Sequence, residues 1–201
     1  MPRPRVTETE IVLDAAARRL ASHGIASTTV DTVAAAADVS RATVYRYVGG
    51  KDEIVRAVIR REAENVLAQV TAVITTSTSP TEAIAGAVSA ALTAIDQNPV
   101  LARLTSSDLR ETLPFITADS RVLVDHCVST LSDTIRAAPQ LIVDDRTVEH
   151  AIEEATRFVF AHLTTPRRDG SRLSERDAGA RAASLIAPMI SSAREQDPQH
   201  D

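Results

Sequence analysis

Two helix-capping residues, Thr29 and Ser40, stand so close together that the helix between them must be short and must end in a sharp turn. Asp38 occupies the position of that turn, and aspartate tolerates left-handed backbone angles better than most residues other than glycine. Val39 and Val44 flank the second cap with the spacing of a hydrophobic staple, which fixes the angle at which the next helix leaves the turn. The pattern predicts a helix-turn-helix.

The second helix of this motif is predicted to expose hydroxyls and cations. Val44 and Val48 are expected to face inward, and Gly49-Gly50 to end the helix before Lys51 starts the next one. The only lysine and both tyrosines of the chain lie in this short segment. Hydroxyls and cations bind phosphate and read base edges, which favours DNA binding. The outward and flanking positions are Arg41, Ala42, Thr43, Tyr45, Arg46 and Tyr47.

The charge distribution agrees with a DNA-binding N-terminal part. Residues 1–61 hold ten basic and seven acidic residues, a net charge of +3, whereas the rest of the chain has a net charge of −8. The overall charge of −5 therefore hides a basic segment on an acidic body. Such an asymmetry suggests that only the N-terminal part meets nucleic acid.

The rest of the chain is predicted to be helical, because no segment shows the alternating pattern of a strand. Thr7 with Glu10, and Ser79 with Glu82, have the spacing of capping boxes, and Gly24 is expected to end the first helix. About nine helices are expected in all. With aromatic residues at only 2%, their core must consist of alanine, valine, leucine and isoleucine.

Several classes of protein are disfavoured by what the sequence contains. Cys127 is the only cysteine, so an intrachain disulfide is excluded. No apolar run approaches the length needed to span a bilayer, and the charged start of the chain does not resemble a signal peptide. A cytoplasmic protein without a cofactor is expected.

Taken together, these residues resemble the TetR family of transcriptional regulators. The resemblance covers Thr7 to about Ile59, and the family commonly has glycine in place of Asp38 and phenylalanine in place of Val48. Both replacements suit the turn and the inward packing at those positions. The matching pattern is a glycine-ended first helix, Thr28-Thr29, Val33-Ala34, Val39-Ser40, Thr43-Val44-Tyr45 and a lysine opening the next helix.

The resemblance implies a helix-turn-helix DNA-binding domain over residues 1–55 and a helical effector-binding and dimerisation domain over residues 56–201. The third helix would lie in the major groove of a palindromic operator, with Arg41, Ala42 and Thr43 nearest the bases. Arg41 has the geometry for a bidentate contact to guanine. Arg46 would contact either bases or phosphate. The phosphate-binding residues would be Thr29, Tyr45, Tyr47 and Lys51. Ser40, which caps the third helix, is also a DNA-binding candidate.

The family also implies a small-molecule effector and a homodimer. The scarcity of aromatic residues favours an aliphatic pocket and an apolar, acyl-like effector. The last two long helices would pair with their copies, although ordinary intrachain packing explains the same small apolar residues. The effector candidates are Leu104, Phe115, Val122, His126, Phe158 and His162. The dimer-interface candidates are Ala155, Val159, Ala182, Leu185 and Met189.

Two other functions compete with a ligand-responsive repressor. One is a DNA-binding protein that needs no ligand. The other is a metal-dependent enzyme, in which Glu149, His150, Glu153 and Glu154, near Asp144 and Asp145, would hold a hard cation. A solvated helix face explains that spacing better, and no nucleophile, phosphate-loop or zinc motif is present, so catalysis and a metal site are not expected.

Overall fold

The computed structural model describes residues 7–117, 120–138, 141 and 145–196, and this part of the chain contains ten α-helices and no strand. The predicted all-α architecture is confirmed. None of the described helices is long and apolar enough to cross a membrane. The helices are α1 (Glu8–Ser27), α2 (Val30–Ala37), α3 (Arg41–Tyr47), α4 (Lys51–Thr76), α5 (Pro80–Gln97), α6 (Pro99–Thr105), α7 (Leu109–Thr117), α8 (Ser120–Arg136), α9 (Asp145–Thr164) and α10 (Glu175–Gln196).

The chain divides into two compact units. The first comprises Met1–Glu64 and Gln97–Ala118, and the second comprises Asn65–Asp96 and Asp119–Asp201. The first unit therefore contains α6 and α7 in addition to the helix-turn-helix. The functional boundary expected between residues 55 and 56 stays a prediction, since compactness and function need not divide a chain at the same residue.

The core of the first unit is a single cluster of small and branched apolar side chains. Val12 and Leu20 of α1, Val44 of α3 and Ile54 of α4 are completely buried in it. Leu104 of α6 joins the same cluster and is almost completely buried. A segment distant in sequence thus completes the core beneath the helix-turn-helix, and hydrophobic burial is the main force that stabilises this arrangement.

The start of α6 is held by a partly buried polar contact with α4. The Asn98 side-chain oxygen accepts hydrogen bonds from the amides of Val100 (3.0 Å) and Leu101 (3.1 Å) and so caps the helix. The Asn98 amide group donates to the Glu62 carboxylate at 2.8 Å. Glu62 is only 7% exposed and also accepts a hydrogen bond from Arg61. A buried carboxylate needs such partners, so this contact fixes where α6 begins.

A second polar contact follows the end of α6. Gly24 interrupts α1 with φ 75° and ψ 179°, a conformation that is essentially restricted to glycine. The interruption turns the Ile25 amide toward Asp108, whose carboxylate accepts its hydrogen bond at 2.8 Å. Gly24 breaks the regular helix at the residue where the sequence predicts its end, and a second, short helical segment follows it to Ser27.

The second unit is built from α5, α8, α9, α10 and the later part of α4. Ser79 accepts a hydrogen bond from the Glu82 amide, so the predicted start of α5 is confirmed. At the start of α10, Ser174 accepts one from the Asp177 amide. The Glu82 carboxylate, however, bonds to Thr78 rather than completing a capping box with Ser79. Gly179 allows α10 to approach α5 closely, since a Cβ there would lie 3.2 Å from the Ser89 Cβ. Small residues therefore set the helix spacing.

Gly24→Ala is expected to lower the free energy of unfolding by about 2–4 kcal/mol, because alanine is strained at these angles and displaces the carboxylate of Asp108. The new Cβ would lie 2.9 Å from the Asp108 Cγ. Urea denaturation followed by circular dichroism measures the change. Gly170→Ala is the matched control: its φ is also positive, at +81°, but no atom lies within 4 Å of its Cβ, so a loss of only about 1 kcal/mol is expected. Equal losses would contradict the importance of the Asp108 contact.

Candidate nucleic-acid interface

The turn between α2 and α3 is made by one left-handed residue. Asp38 has φ 54° and ψ 45°, the only positive φ among the non-glycine residues that the structure describes. The Val39 amide then donates to the Ala34 carbonyl at 3.0 Å, which closes the end of α2. The sharp turn predicted at Asp38 is confirmed: this residue ends α2, and α3 begins three residues later at Arg41.

Both helices of the motif begin with the caps that the sequence indicated. The Thr32 amide donates to the Thr29 hydroxyl oxygen at 3.2 Å, and the Thr29 amide donates back to the Thr32 hydroxyl at 2.9 Å. At the start of α3 the Thr43 amide donates to the Ser40 hydroxyl oxygen at 3.1 Å. These bonds satisfy backbone donors that would otherwise lack a helical partner. The hydroxyl of Thr29 is therefore already engaged in its cap.

The face of α3 that was expected to point outward is exposed. Val44 is completely buried, while Val48, just past the end of the helix, packs partly against the same core. Tyr45 is 53% exposed, although large apolar rings normally avoid water. Arg41, Ala42, Arg46 and Tyr47 are also exposed, and Thr43 is half-buried. The helix presents hydroxyls and cations to solvent on a rigid base.

Two arginines of this face are paired with carboxylates from other helices. The Arg41 Nη1 lies 2.8 Å from the Asp31 Oδ1 of α2. The Arg46 Nη2 lies 3.4 Å from the Glu8 Oε2 of α1. The Arg46 guanidinium also stacks on the ring of Tyr47, 4.6 Å from its centroid, and donates to the Tyr47 hydroxyl at 3.2 Å. Both cations are thus oriented in the absence of DNA.

Lys51 stands at the junction of three elements. It is the first residue of α4, and its Nζ donates to the Ala26 carbonyl near the end of α1 at 3.3 Å. The preceding turn uses Gly49 at φ +115°, and the Gly50 amide donates to the Glu53 carboxylate at 3.1 Å. The ammonium group lies at the first turn of α4, in the sequence position expected for a phosphate contact.

The effector candidates fall into both units. Leu104 belongs to the core of the first unit, where Phe115 also packs partly against that core and carries the Arg56 guanidinium 5.4 Å above its ring. In the second unit the rings of Phe158 and His162 stack with centroids 6.5 Å apart.

Among the other effector candidates, His126 is half-buried and Val122 is 70% exposed. Burial, together with the charge of Arg172, lowers the pKa of His162. A lowered pKa favours the neutral imidazole near pH 7, which suits the apolar ring stacked against it. Phe158 and His162 form the one pair of candidates for which the structure shows a direct contact.

The dimer-interface candidates divide by exposure. Ala182 and Val159 are buried within the single chain, and Ala155 is half-buried. Leu185 and Met189 are 50% and 42% exposed, and they lie four residues apart on α10 and so on one face. Packing within one chain accounts for the buried residues, whereas Leu185 and Met189 form an exposed apolar surface.

The acidic face that raised the possibility of a metal site is engaged in ion pairs. The Glu153 carboxylate accepts a hydrogen bond from Arg157 at 2.6 Å, and Glu149 lies 4.0 Å from Arg136. No group of residues suited to hold a metal ion occurs in the described part of the chain. Asp144 and the side chain of Asp145 lie outside the described residues.

Four functional or structural acids escaped sequence reasoning: Glu8, Asp31, Glu62 and Asp108. Each acts on a partner in a different helix or turn. Glu8 and Asp31 lie in the first turns of α1 and α2, and these two positions could be predicted from the sequence. No local spacing, however, relates an acid to a partner in another helix or turn, so only the fold brings these partners together.

The fold and this site define a helix-turn-helix protein whose second motif helix is exposed. Residues 12–58 match the family described as bacterial regulatory proteins, tetR family, and residues 79–188 match the bacterial tetracyclin repressor C-terminal domain. The chain belongs to the TetR family, a family of DNA-binding transcriptional regulators that are not enzymes. Members of this family bind DNA operators and act as dimers.

Known proteins similar to this chain agree with that assignment. Two uncharacterised HTH-type transcriptional regulators from strains of Mycobacterium tuberculosis are 26% identical over 182 residues, which cover 90% of this chain and 85% of each relative. The crystal structure of the TetR-family repressor AlkX from a Dietzia strain has a TM-score of 0.75 at 18% identity and covers 95% of this chain and 99% of its own. The transcriptional repressor QsdR from R. erythropolis has a TM-score of 0.65 at 19% identity, and the match covers 94% of this chain and 96% of QsdR. The two structures show a shared fold.

Asp38→Ala is expected to be less stable than Asp38→Gly by about 1 kcal/mol. Both substitutions remove the carboxylate, but only alanine retains the Cβ that clashes in the left-handed conformation. Thermal or urea denaturation of the two variants, compared with each other, isolates this backbone effect. Equal stabilities would show that residue 38 does not hold positive φ in solution.

Proposed function

We propose that this protein is a ligand-responsive transcriptional repressor that binds a palindromic operator as a homodimer and is released by a small molecule. The observation that carries the proposal is the exposed face of α3, a seven-residue helix that begins at the Ser40 cap and is anchored in the core by the buried Val44. A helix of seven residues is about 10 Å long, short enough to enter a major groove.

The proposed contacts follow from the chemistry of the exposed groups. Arg41 reads guanine through a bidentate hydrogen bond, and Ala42 with the Thr43 methyl contacts a thymine methyl. Tyr45, Tyr47 and Lys51 bind phosphates, which position the protein without reading sequence. Arg46 is held by Tyr47 and Glu8, and this restraint favours a phosphate contact beside Tyr47 over base reading. Thr29 joins the phosphate contacts through the start of α2.

A homodimer is supported by the demands of recognition and by the surface of α10. One short helix contacts too few base pairs to define a site, whereas two related by a dyad read a palindrome. Leu185 and Met189 form an exposed apolar pair on α10, together with the exposed Pro188. Burial of that pair against its copy would remove apolar surface from water.

An apolar effector is supported by the side chains available in the second unit. The chain has no tryptophan and only three phenylalanines, so broad aromatic platforms for a flat cation are scarce. Phe158 and His162 stack on α9, and the lowered pKa of His162 keeps that pair compatible with an uncharged ligand. A compound with an alkyl or acyl chain fits these surroundings best.

Selection of bound sequences from a random duplex pool tests the operator proposal. The wild-type protein is expected to enrich a palindrome, and Lys51→Ala with Tyr45→Phe is expected to lose that enrichment. Loss of Lys51 should reduce the steepness of the slope of log K against log salt concentration by about 0.9 for each phosphate contact removed. In a dimer, which loses one contact per subunit, the change should be about twice as large.

Arg121→Ala is the control for charge, because Arg121 is an exposed cation of α8 in the second unit. It should leave both the enriched sequence and the salt slope unchanged. Circular dichroism checks that Lys51→Ala remains folded after losing its hydrogen bond to Ala26. If wild-type protein enriched no sequence, or enriched one without two-fold symmetry, the proposed dimeric operator reader would be wrong.

Titration of the operator complex with straight-chain acyl compounds tests ligand response. The proposal expects release of DNA, and it expects Phe158→Ala to raise the effector concentration required without changing operator affinity. Phe160→Ala is the matched control, since Phe160 is also a half-buried phenylalanine of α9. A DNA affinity that no compound alters would favour the alternative, a ligand-independent DNA-binding protein.

A further inference from the structure

The ion pair between Asp31 and Arg41 joins the two helices of the helix-turn-helix. Asp31 lies in the first turn of α2, Arg41 is the first residue of α3, and their nearest charged atoms are 2.8 Å apart. The Arg41 and Asp31 side chains are 62% and 59% exposed. Exposed ion pairs contribute little to stability. The ion pair itself therefore adds little to the stability of the fold.

We propose that Asp31 is a positioning residue that sets the base preference of Arg41. This role presupposes the operator binding proposed above and adds a specificity determinant from α2, a helix that is not expected to read bases itself. Asp31 acts through Arg41 and does not contact DNA.

The geometry of the guanidinium group explains how the pair acts. Arginine offers five N–H donors in a planar fork. Asp31 lies against Nη1, which leaves Nε and Nη2 as two parallel donors on the other edge. That edge matches the O6 and N7 acceptors of guanine. Since an arginine side chain loses much rotamer freedom when it is fixed, a carboxylate that restrains it in the free protein reduces the entropy lost on reading guanine.

The negative charge of Asp31 also increases the preference for the correct sequence. A carboxylate beside the reading helix repels the DNA backbone and weakens binding to every sequence, because non-specific affinity is electrostatic. When Arg41 binds guanine, that contact restores part of the lost affinity for the operator. The pair therefore raises the ratio of specific to non-specific affinity, a combination of attraction to one partner and repulsion of others.

The pair formed by Arg46 and Glu8 provides the comparison. Its charged atoms are 3.4 Å apart, and Arg46 is also held by the hydroxyl and ring of Tyr47 within its own helix. Removal of Glu8 therefore eliminates one negative charge from the first unit while Tyr47 still orients Arg46. Glu8→Gln is a charge-matched control for Asp31→Asn.

The experiment uses the full-length protein and the operator obtained by selection from the random pool. Dissociation constants are measured for wild type, Asp31→Asn, Glu8→Gln, Arg41→Ala and the double variant Asp31→Asn with Arg41→Ala. The duplexes are the operator, operators substituted at each base pair, and a random duplex. Arg41→Ala identifies the base pair that Arg41 reads.

At that base pair Asp31→Asn is expected to reduce the preference for guanine about three- to tenfold, and it should have no further effect on preference in the Arg41→Ala background. Both Asp31→Asn and Glu8→Gln should bind random duplex about two- to fivefold more tightly. Only Asp31→Asn should change a base preference.

Three results would overturn the proposal. If Asp31→Asn and Glu8→Gln behaved alike and retained every base preference, Asp31 would act only as a repulsive charge, while operator binding and the proposed function would stand. If Asp31→Asn lowered the melting temperature and weakened all duplexes equally, its role would be structural. If wild type selected no sequence at all, the proposed function would fail and this role would fail with it.

Discussion

The left-handed backbone of Asp38 is the constraint on which the DNA-binding surface depends. A right-handed residue at that position would extend α2, and the cap at Ser40 would have no helix to start. Because the chain turns there, Val44 enters the core and the opposite side of α3 remains in water. The exposure of Tyr45 and the arginines therefore depends on one left-handed residue, two helix caps and the burial of Val44. Glycine would adopt this conformation without strain, and Asp38 adopts it at some cost in backbone strain.

The first unit depends equally on a segment that is distant in sequence. α6 contributes Leu104 to the core, and polar contacts hold the chain on both sides of this helix: Asn98 bonds to the buried Glu62, and Asp108 bonds to the Ile25 amide. Buried or half-buried carboxylates require specific donors, so these contacts admit few alternative positions of α6. A displacement of α6 would expose apolar surface and leave Glu62 or the Ile25 amide without these partners.

Sequence reasoning succeeded where the signal is local. The caps at Thr7, Thr29 and Ser40 and the turn at Asp38 involve residues only a few positions apart, and all were predicted. It was less exact in the middle of the chain, since about nine helices were expected and the described residues contain ten. One of them, α7, contains Pro114, and a proline usually breaks a helix.

The same limit applies to the candidate site. Periodicity identified which side of α3 would be exposed, since Val44 and Val48 had to face inward. It could not reveal that Asp31 would meet Arg41, because their separation depends on the crossing of α2 and α3 and not on the spacing within either helix. Neither could composition show whether Ala182 and Leu185, three residues apart on one helix, would lie in the core or in water.

The acids that pair with the reading face also bear on why a DNA-binding chain can carry a net charge of −5. A regulator must distinguish its site from a great excess of other DNA, so the ratio of specific to non-specific affinity matters more than affinity alone. Unpaired arginines would bind any phosphate backbone, whereas arginines held by Asp31 and Glu8 gain less from non-specific contact. An acidic body further reduces attraction to random DNA. On this view the carboxylates around α3 are part of the recognition surface, because they weaken the contacts that carry no sequence information.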